Sequence, residues 1–336
     1  MNDYKISVLV TFYNQEMYVD KALTSIFDQK TDFDFKVIVG DDGSTDGTVG
    51  RIKKWMEKYP EIELNVRDHN DGCTIGGFRA SRNRLDLLKR VDTKYFIFLD
   101  GDDYFSDENK FQIQYDIMEK DENRDCIVCA HNINALYNNG EIKPYTSLNI
   151  PEGKYGKREY WANYYFHTDT MLFRSKLIKK LDFNLLENNY NDNMITFTAI
   201  QFGKIYYLPQ YMAVYNQTGD GIWTTGNQII NNIRNMFLYD ICNVVAPNMK
   251  KETNIRFFDT WKNLYALRKE IDPNMKNYSA FLSEADGKGF KYSEFWLKYD
   301  KISVFSKLSI LKDAAYIVIC GYSFKIKRKL KKLISG

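Results

Sequence analysis

The sequence predicts an α/β fold, in which a mostly parallel sheet carries helices on both faces. Short apolar segments typical of buried strands alternate with segments of helical periodicity in the first third of the chain. This alternation is the pattern of βαβ crossover units. Polar clusters follow three of the apolar segments directly. Because ligands bind beyond the carboxyl ends of the strands in such sheets, we expect these clusters to meet in one crevice.

The predicted strands are short, and most are rich in β-branched and aromatic residues. They are Ile6–Phe12, Lys36–Gly40, Ile62–Val66 and Tyr95–Leu99. Three helices are predicted between them, each from apolar residues that recur at helical spacing. The first carries Val19, Ala22, Leu23, Ile26 and Phe27 on one face, the second carries Val49, Ile52, Met56 and Tyr59, and the third covers Phe78–Arg90.

After residue 150 the pattern is looser. A helix is predicted over Met194–Phe202 and a strand over Ile205–Leu208, and from about residue 226 the signals are mostly helical. We therefore expect an α/β domain over residues 1–225 and a helical extension over residues 226–336.

Composition and charge limit the class of protein. The 336 residues are 44% hydrophobic, which is enough to close a core without disulfides, and the five cysteines are odd in number and scattered. No apolar stretch reaches the ~20 residues that span a bilayer, and no secretory signal is recognisable. The first 150 residues carry 19 basic and 27 acidic side chains, so we do not expect a nucleic-acid binder. These features predict a cytoplasmic protein.

The strongest chemical signal is the run Asp100-Gly101-Asp102-Asp103, directly after a buried strand. Several carboxylates on one turn repel each other unless a cation or a proton is present. Oxygen ligands favour Mg²⁺ or Mn²⁺, which proteins commonly hold through one or two carboxylates and the phosphates of a substrate. The alternative is an ordinary Asp-Gly turn in which an aspartate caps the next helix. Three acids fit that alternative poorly, so the run predicts a metal–diphosphate site.

A second cluster, Asp41-Asp42-Gly43-Ser44, follows the second strand. A carboxylate here could accept hydrogen bonds from a nucleobase and a ribose, while Tyr13 stacks on the base and Thr11 bonds its edge. The residue types also suit an ordinary turn, and core packing explains Tyr13 equally well.

Together these runs resemble the signature of family 2 glycosyltransferases, which have the GT-A fold. The order and spacing of three motifs match over roughly the first 110 residues; the motifs are Val8–Asn14, Val37–Asp46 and Phe98–Asp103. The resemblance implies an inverting transferase that uses a nucleotide-diphosphate sugar and Mn²⁺ or Mg²⁺.

The resemblance also implies roles for single residues. Thr11, Tyr13 and Asp42 would hold the nucleobase, and Asp100 would approach the ribose. Asp102, with Asp103, would hold the metal ion on the diphosphate. Arg82 and Asn83 match an Arg-Asn pair that lines the nucleotide pocket in the family, although Arg82 equally suits a solvated helix surface.

Inversion in one displacement requires a general base on the acceptor hydroxyl. In the family this acid lies well after the metal motif, at the start of a helix, and Asp192 occupies that place, with Glu187 as the second candidate. The alternative for Asp192 is that it only caps the helix.

Further residues are expected at the donor and acceptor pocket. His167 and Thr168 belong to a stretch that borders the sugar in the family, and Trp223 lies in a segment that resembles its closing loop. The chain has Asn216-Gln217 where many members carry Arg and His, a departure that argues against a histidine ligand at that position.

The end of the chain combines an apolar segment, residues 314–324, with a basic one, residues 325–334. We expect such a tail to make peripheral contact with an anionic membrane surface at the inner face of the plasma membrane. The alternative is a soluble helix with a basic face.

We therefore expect a glycosyltransferase of the hexosyl or N-acetylhexosaminyl class. Its donor would be a UDP-sugar and its acceptor a saccharide or lipid-linked hydroxyl, in bacterial surface polysaccharide or cell-envelope glycan synthesis. The alternative is a nucleotide-sugar-binding module without turnover, which Asn216-Gln217 favours. A dinucleotide-dependent oxidoreductase is not expected, because no Gly-x-Gly-x-x-Gly follows the first strand.

Overall fold

The computed structural model describes residues 3–68, 76–145, 150–187, 190–217 and 228–271, with the isolated positions 308 and 312. The chain divides into two compact units. The first comprises Met1–Gly156 and Phe166–Gly221, and the second comprises Lys157–Tyr165 and Ile222–Gly336. The segment 157–165 thus belongs to the same unit as the C-terminal region, a discontinuity that the sequence pattern does not indicate.

In the described part of the chain, ten strands form one sheet. They are β1 (Ile6–Phe12), β2 (Phe35–Asp41), β3 (Glu63–Val66), β4 (Tyr95–Asp100), β5 (Tyr104–Phe105), β6 (Cys126–Leu136), β7 (Ile142–Pro144), β8 (Gly153–Tyr155), β9 (Leu172–Arg174) and β10 (Lys204–Asn216). The helices are α1 (Val19–Phe27), α2 (Thr48–Lys58), α3 (Gly76–Leu88), α4 (Lys110–Glu119), α5 (Lys157–Asn163), α6 (Phe183–Leu186), α7 (Asp192–Ala199), α8 (Gln228–Val245) and α9 (Lys250–Ile271).

The strand order is β3-β2-β1-β4-β9-β6-β10-β5, with β7 and β8 paired beside it. The predicted parallel part is present, because β1 pairs in parallel with β2 and β4, and β2 with β3. The later strands make the sheet mixed, since β9 runs antiparallel to both β4 and β6. Strand β1 is buried over nearly its whole length, as expected for a strand covered on both faces.

The register of the parallel strands positions the site. Thr11 near the end of β1 lies beside Gly40 of β2 on one side and Asp100 of β4 on the other. The polar residues that follow these strands therefore lie along one edge of the sheet.

Two glycines allow close packing near this edge. A Cβ on Gly40 would lie 2.4 Å from Oδ1 of Asn83 in α3, and a Cβ on Gly101 would lie 2.2 Å from a ring carbon of Phe12. Asn83 is buried and donates from Nδ2 to the carbonyl oxygen of Gly40 at 2.9 Å. The Asn83 side chain therefore links α3 to β2 through this hydrogen bond. The resemblance predicts instead that Asn83 lines the nucleotide pocket.

The second unit is helical where it is described, as predicted for the C-terminal region. Trp161 of α5 is buried and donates from Nε1 to the hydroxyl of Thr253 in α9 at 3.2 Å. The guanidinium of Arg256 lies 3.8 Å from the Trp161 ring centroid, which adds a cation–π contact between the two helices. Among the residues placed in the structure, no helix combines the length and apolar composition needed to cross a membrane.

Candidate active site

An arginine at the centre of the crevice edge joins two predicted site residues. Arg84 of α3 donates from Nη2 to both carboxylate oxygens of Asp100, at 2.6 and 2.8 Å, and from Nη1 to Oδ1 of Asp192 at 3.2 Å. Asp100 also accepts from the hydroxyl of Thr11 at 3.1 Å. Burial lowers the pKa of Arg84, but the charges of Asp100 and Asp192 outweigh burial and raise it overall. The structure therefore brings Thr11, Asp100 and Asp192 together around one guanidinium.

The position of Asp192 at the start of α7 answers whether it caps the helix. Asn191 is the N-cap, and its side-chain oxygen accepts from the backbone N–H of Met194 at 3.0 Å. Asp192 is the first helical residue, and its carboxylate faces Arg84 instead. The N-cap of α7 is therefore Asn191 and not Asp192, although Asp192 remains an acid in the first turn, a position that the helix dipole favours.

Asp42 lies between two arginines. The Nε atoms of Arg67 and Arg79 are 3.3 and 3.0 Å from its two carboxylate oxygens. The Arg79 guanidinium also lies over the ring of Tyr13, 5.0 Å from the centroid, and Tyr13 is 45% exposed. An exposed ring beside a carboxylate suits stacking on a nucleobase and is not core packing, which was the alternative for Tyr13. Neighbouring Asp41, in contrast, is a turn residue whose Oδ1 accepts from the backbone N–H groups of Gly43 and Ser44.

Asp102 and Asp103 have different surroundings. Asp102 is partly buried near Asp100, and burial together with the charge of Asp100 raises the pKa of Asp102 to about 6. Asp103 is only 2% exposed, and its Oδ1 accepts from the backbone N–H of Asn216 at 2.7 Å. Asn216, in the segment that departs from the family pattern, thus contributes its backbone to this turn.

Asp103 forms a buried cluster with His167 and Asp169. One ligand atom from each residue lies within 4.8 Å of the others. Oδ2 of Asp103 and both carboxylate oxygens of Asp169 are buried, with no hydrogen-bond partner among the residues described. Burial and the charge of Asp169 raise the pKa of Asp103 well above its usual range. Facing buried carboxylates require a shared proton or a cation, so this donor set, as well as Asp102, fits a hard divalent ion.

Aromatic rings lie beside this cluster. The His167 ring is 4.9 Å from the Tyr215 ring and 6.1 Å from the Tyr145 ring, between centroids. Burial and the charge of Asp192 raise the pKa of Tyr145. Thr168, predicted at the same pocket, is 2% exposed. Tyr145, His167 and Tyr215 therefore form an aromatic wall near the acids.

Two of the predicted residues that the structure describes, Arg82 and Glu187, lie away from this centre. Arg82 faces Glu187 at 4.0 Å, and the Glu187 side chain is 63% exposed, which makes it a weaker candidate for a base than Asp192. Trp223 lies outside the described residues, and so does the basic tail, residues 325–336.

Arg67, Arg79, Arg84 and Asp169 are site residues that sequence reasoning missed. The sequence pattern does not mark Arg84. Arg84 shares a stripe of α3 with Gly77, Ser81 and Leu88, at i, i+4, i+7 and i+11, but Gly77 and Ser81 are not apolar, so only the structure shows that this stripe is buried. A charged residue on a buried helix face requires a buried partner of opposite charge.

Several known proteins are similar to this chain over part of its length. Three uncharacterized proteins of Mycobacterium bovis and Mycobacterium tuberculosis are each 26% identical over 235 residues, 65% of this chain and 60% of theirs. The chain thus spans 60% of the length of these relatives. A processive diacylglycerol beta-glycosyltransferase of Mycoplasma pneumoniae is 31% identical over 151 residues, 44% of this chain and 42% of that protein.

Solved structures show the same fold. The crystal structure of residues 1-349 of Staphylococcus aureus TarS in complex with UDP-GlcNAc aligns with a TM-score of 0.58 at 17% identity, over 92% of this chain and 80% of that chain. The poly(ribitol-phosphate) beta-N-acetylglucosaminyltransferase TarS is 36% identical over 107 residues, 31% of this chain and 17% of that protein. The model of the family described as "Glycosyl transferase family 2" matches residues 7–182. The chain therefore belongs to glycosyltransferase family 2 and has the GT-A fold.

Proposed function

We propose that the chain is a metal-dependent, inverting glycosyltransferase that moves a sugar from a UDP-sugar to a hydroxyl of a saccharide or lipid-linked acceptor. The observation that carries the proposal is the Arg84 bridge, because it holds the donor-side carboxylate of Asp100 and the carboxylate of Asp192 in one site. A reaction between a bound donor and an acceptor hydroxyl requires both at one place.

The nucleotide would bind along the strand ends. Tyr13 offers a half-exposed ring for the base, and Asp42, Thr11 and Asp100 offer oxygen atoms for the base and ribose. UDP is the proposed nucleotide because TarS, which shares the fold, was crystallised with UDP and with UDP-GlcNAc.

A divalent ion, Mn²⁺ or Mg²⁺, would bind at Asp102, and Asp103 with His167 and Asp169 is the second candidate donor set. The ion would supply charge neutralisation for the diphosphate leaving group. Asp102 and Asp100 add negative charge to this edge, and burial together with the charge of Asp100 raises the pKa of Asp102 to about 6. A divalent cation bound there would favour the ionised carboxylate.

Asp192 would act as the general base. Its side chain is 20% exposed, so an acceptor hydroxyl can reach it, and its hydrogen bond to Arg84 holds it at the site. The base accepts the proton of the acceptor hydroxyl as the oxygen forms its bond to the anomeric carbon, and the bond from that carbon to the diphosphate breaks. A single displacement of this kind inverts the anomeric centre.

The acceptor is proposed from the relatives. These relatives include a diacylglycerol beta-glycosyltransferase and two poly(ribitol-phosphate) glycosyltransferases, which suits a lipid-linked or polymeric acceptor of the cell envelope. The basic tail, residues 325–336, would bring the chain to an anionic membrane surface. Sedimentation with phosphatidylglycerol vesicles, repeated after deletion of 325–336, tests this step; unchanged sedimentation contradicts it.

A binding module without turnover is the second candidate, and Asn216-Gln217 is the observation that favours it. Release of UDP from UDP-GlcNAc and UDP-glucose with MnCl₂ separates the two, with Asp102→Ala and Asp192→Asn beside the wild type. The enzyme predicts release that both substitutions reduce by about 100-fold or more. Wild-type protein that binds UDP with Mn²⁺ but releases none from any UDP-sugar supports the binding module.

A further inference from the structure

Arg84 lies between the two carboxylates that the proposed reaction needs. It belongs to α3, whereas Asp100 ends β4 and Asp192 begins α7. Each end of the guanidinium serves one acid, Nη2 for Asp100 and Nη1 for Asp192. Because a guanidinium is planar and rigid, these bonds fix the separation and orientation of the two carboxylates relative to each other.

The surroundings favour this arrangement over a surface ion pair. The Arg84 side chain is 13% exposed, and the carboxylates of Asp100 and Asp192 are 30% and 20% exposed. Nη2 of Arg84 lies 2.6 and 2.8 Å from the two carboxylate oxygens of Asp100, which are the short distances of charge-assisted hydrogen bonds. Asn191 caps α7, so the helix end does not need the carboxylate of Asp192.

We propose that Arg84 is a positioning residue that orients Asp192 against the donor bound at Asp100. This inference rests on the proposed function. Arg84 acts through Asp192 and does not touch the reacting atoms. Its loss would therefore lower kcat, because a small misplacement of a reacting group slows a reaction strongly, and it would change donor affinity far less.

Arg84→Lys is the informative variant. A lysine keeps the positive charge between the acids, which protects the fold, but one ammonium cannot reproduce the two-ended fork. We expect kcat for UDP release from UDP-GlcNAc with MnCl₂ to fall at least about 10-fold. The donor KM and the UDP dissociation constant by calorimetry should change less than about threefold. Arg90→Lys is the matched control, since Arg90 makes a surface pair with Glu63 and bonds Asn65 at 2.9 Å; its kcat should equal that of the wild type.

The double variant Arg84→Lys with Asp192→Asn shows whether Arg84 acts through Asp192. We expect it to be no slower than Asp192→Asn alone, because residues that act as one unit are not additive. A wild-type kcat in Arg84→Lys overturns the inference. So does a double variant whose loss of kcat equals the product of the losses in the two single variants. Loss of UDP binding and of the melting transition in Arg84→Lys shows a purely structural role and also overturns it. A wild-type chain that neither binds UDP nor releases it contradicts the proposed function itself, which is a separate result.

Discussion

Asn191 caps helix α7 so that the carboxylate of Asp192, the next residue, can face Arg84. The two neighbouring side chains thus divide two tasks, since Asn191 bonds the N–H of Met194 and Asp192 pairs with Arg84. An acid and a cap at adjacent positions look alike in a sequence, and the structure separates them.

Because the two residues have different tasks, we expect one substitution to lower stability and the other to lower activity. Asn191→Ala removes the cap and should lower the free energy of unfolding by about 1 kcal/mol, because one backbone N–H loses its partner. Asp192→Asn should leave the melting temperature nearly unchanged and reduce UDP release by about 100-fold. Thermal unfolding and UDP release are measured on both variants; a large loss of stability in Asp192→Asn with activity retained contradicts the division.

The exposed ring of Tyr13 predicts that its face, and not its hydroxyl, binds the nucleotide. Tyr13→Ala should weaken UDP binding by about 10-fold, within the range measured for base–aromatic stacking. Tyr13→Phe is the matched control and should bind like the wild type, because the ring is kept. Calorimetry with UDP and MnCl₂ measures both. Equal affinity in all three proteins would place the base elsewhere.

The space around Gly40, beside the site, has no room for a side chain. A Cβ there meets Oδ1 of Asn83 at 2.4 Å, so Gly40→Ala should destabilise the chain by about 1–3 kcal/mol, as overpacking does. Gly50 in helix α2 has nothing within 4 Å of the same added carbon. Gly50→Ala should therefore stabilise the chain by about 0.5–1 kcal/mol. Urea unfolding measures the free energy of unfolding of both variants. Equal changes in Gly40→Ala and Gly50→Ala would contradict this prediction.

We expect the buried Lys110 to make the free energy of unfolding depend on pH. It is fully buried, its Nζ donates to Gln114 at 2.8 Å, and burial lowers the pKa of Lys110 to about 7. In the unfolded chain a lysine keeps its proton up to about pH 10.4. Between pH 7 and 10 the unfolded state therefore binds more protons, and the free energy of unfolding rises with pH through this group.

The test compares wild type with Lys110→Met by urea unfolding at pH 7 and 9. The wild type should gain more stability than the variant over this interval, by up to about 1.4 kcal/mol per pH unit. The difference between the two proteins isolates Lys110 from tyrosines and cysteines that titrate in the same range. Parallel stability curves for the two proteins would show that Lys110 keeps its proton when buried.

Much of this architecture follows from local sequence. The periodicity that predicted helix α1 is borne out by its buried residues, Val19, Ala22, Leu23 and Ile26. The parallel strands β1, β2 and β4 were predicted because each is continuously apolar and ends in a polar cluster. Strand β9, with three residues, was not, because so short a segment has no periodicity and is fixed by its neighbours β4 and β6.

The site was predictable only in part, because some of its contacts depend on packing between elements that are distant in sequence. Thr11, Asp100 and Asp192 lie together in the structure, and strand ends and helix starts define where they lie. The role of Arg84 depends on which side of α3 faces Asp100, so the sequence pointed to Arg82, two positions earlier. Asp169 was missed because its partner Asp103 is distant in sequence, and only the packing of the later strands brings the two together.

The central claim is that acids at the strand ends bind a cation that holds a diphosphate. Calorimetric titration of UDP into the wild-type chain, with MnCl₂ and then with EDTA, tests it most directly. We expect at least about 10-fold tighter binding with Mn²⁺, and loss of this gain in Asp102→Asn. Equal UDP affinity with and without Mn²⁺ or Mg²⁺ would contradict it.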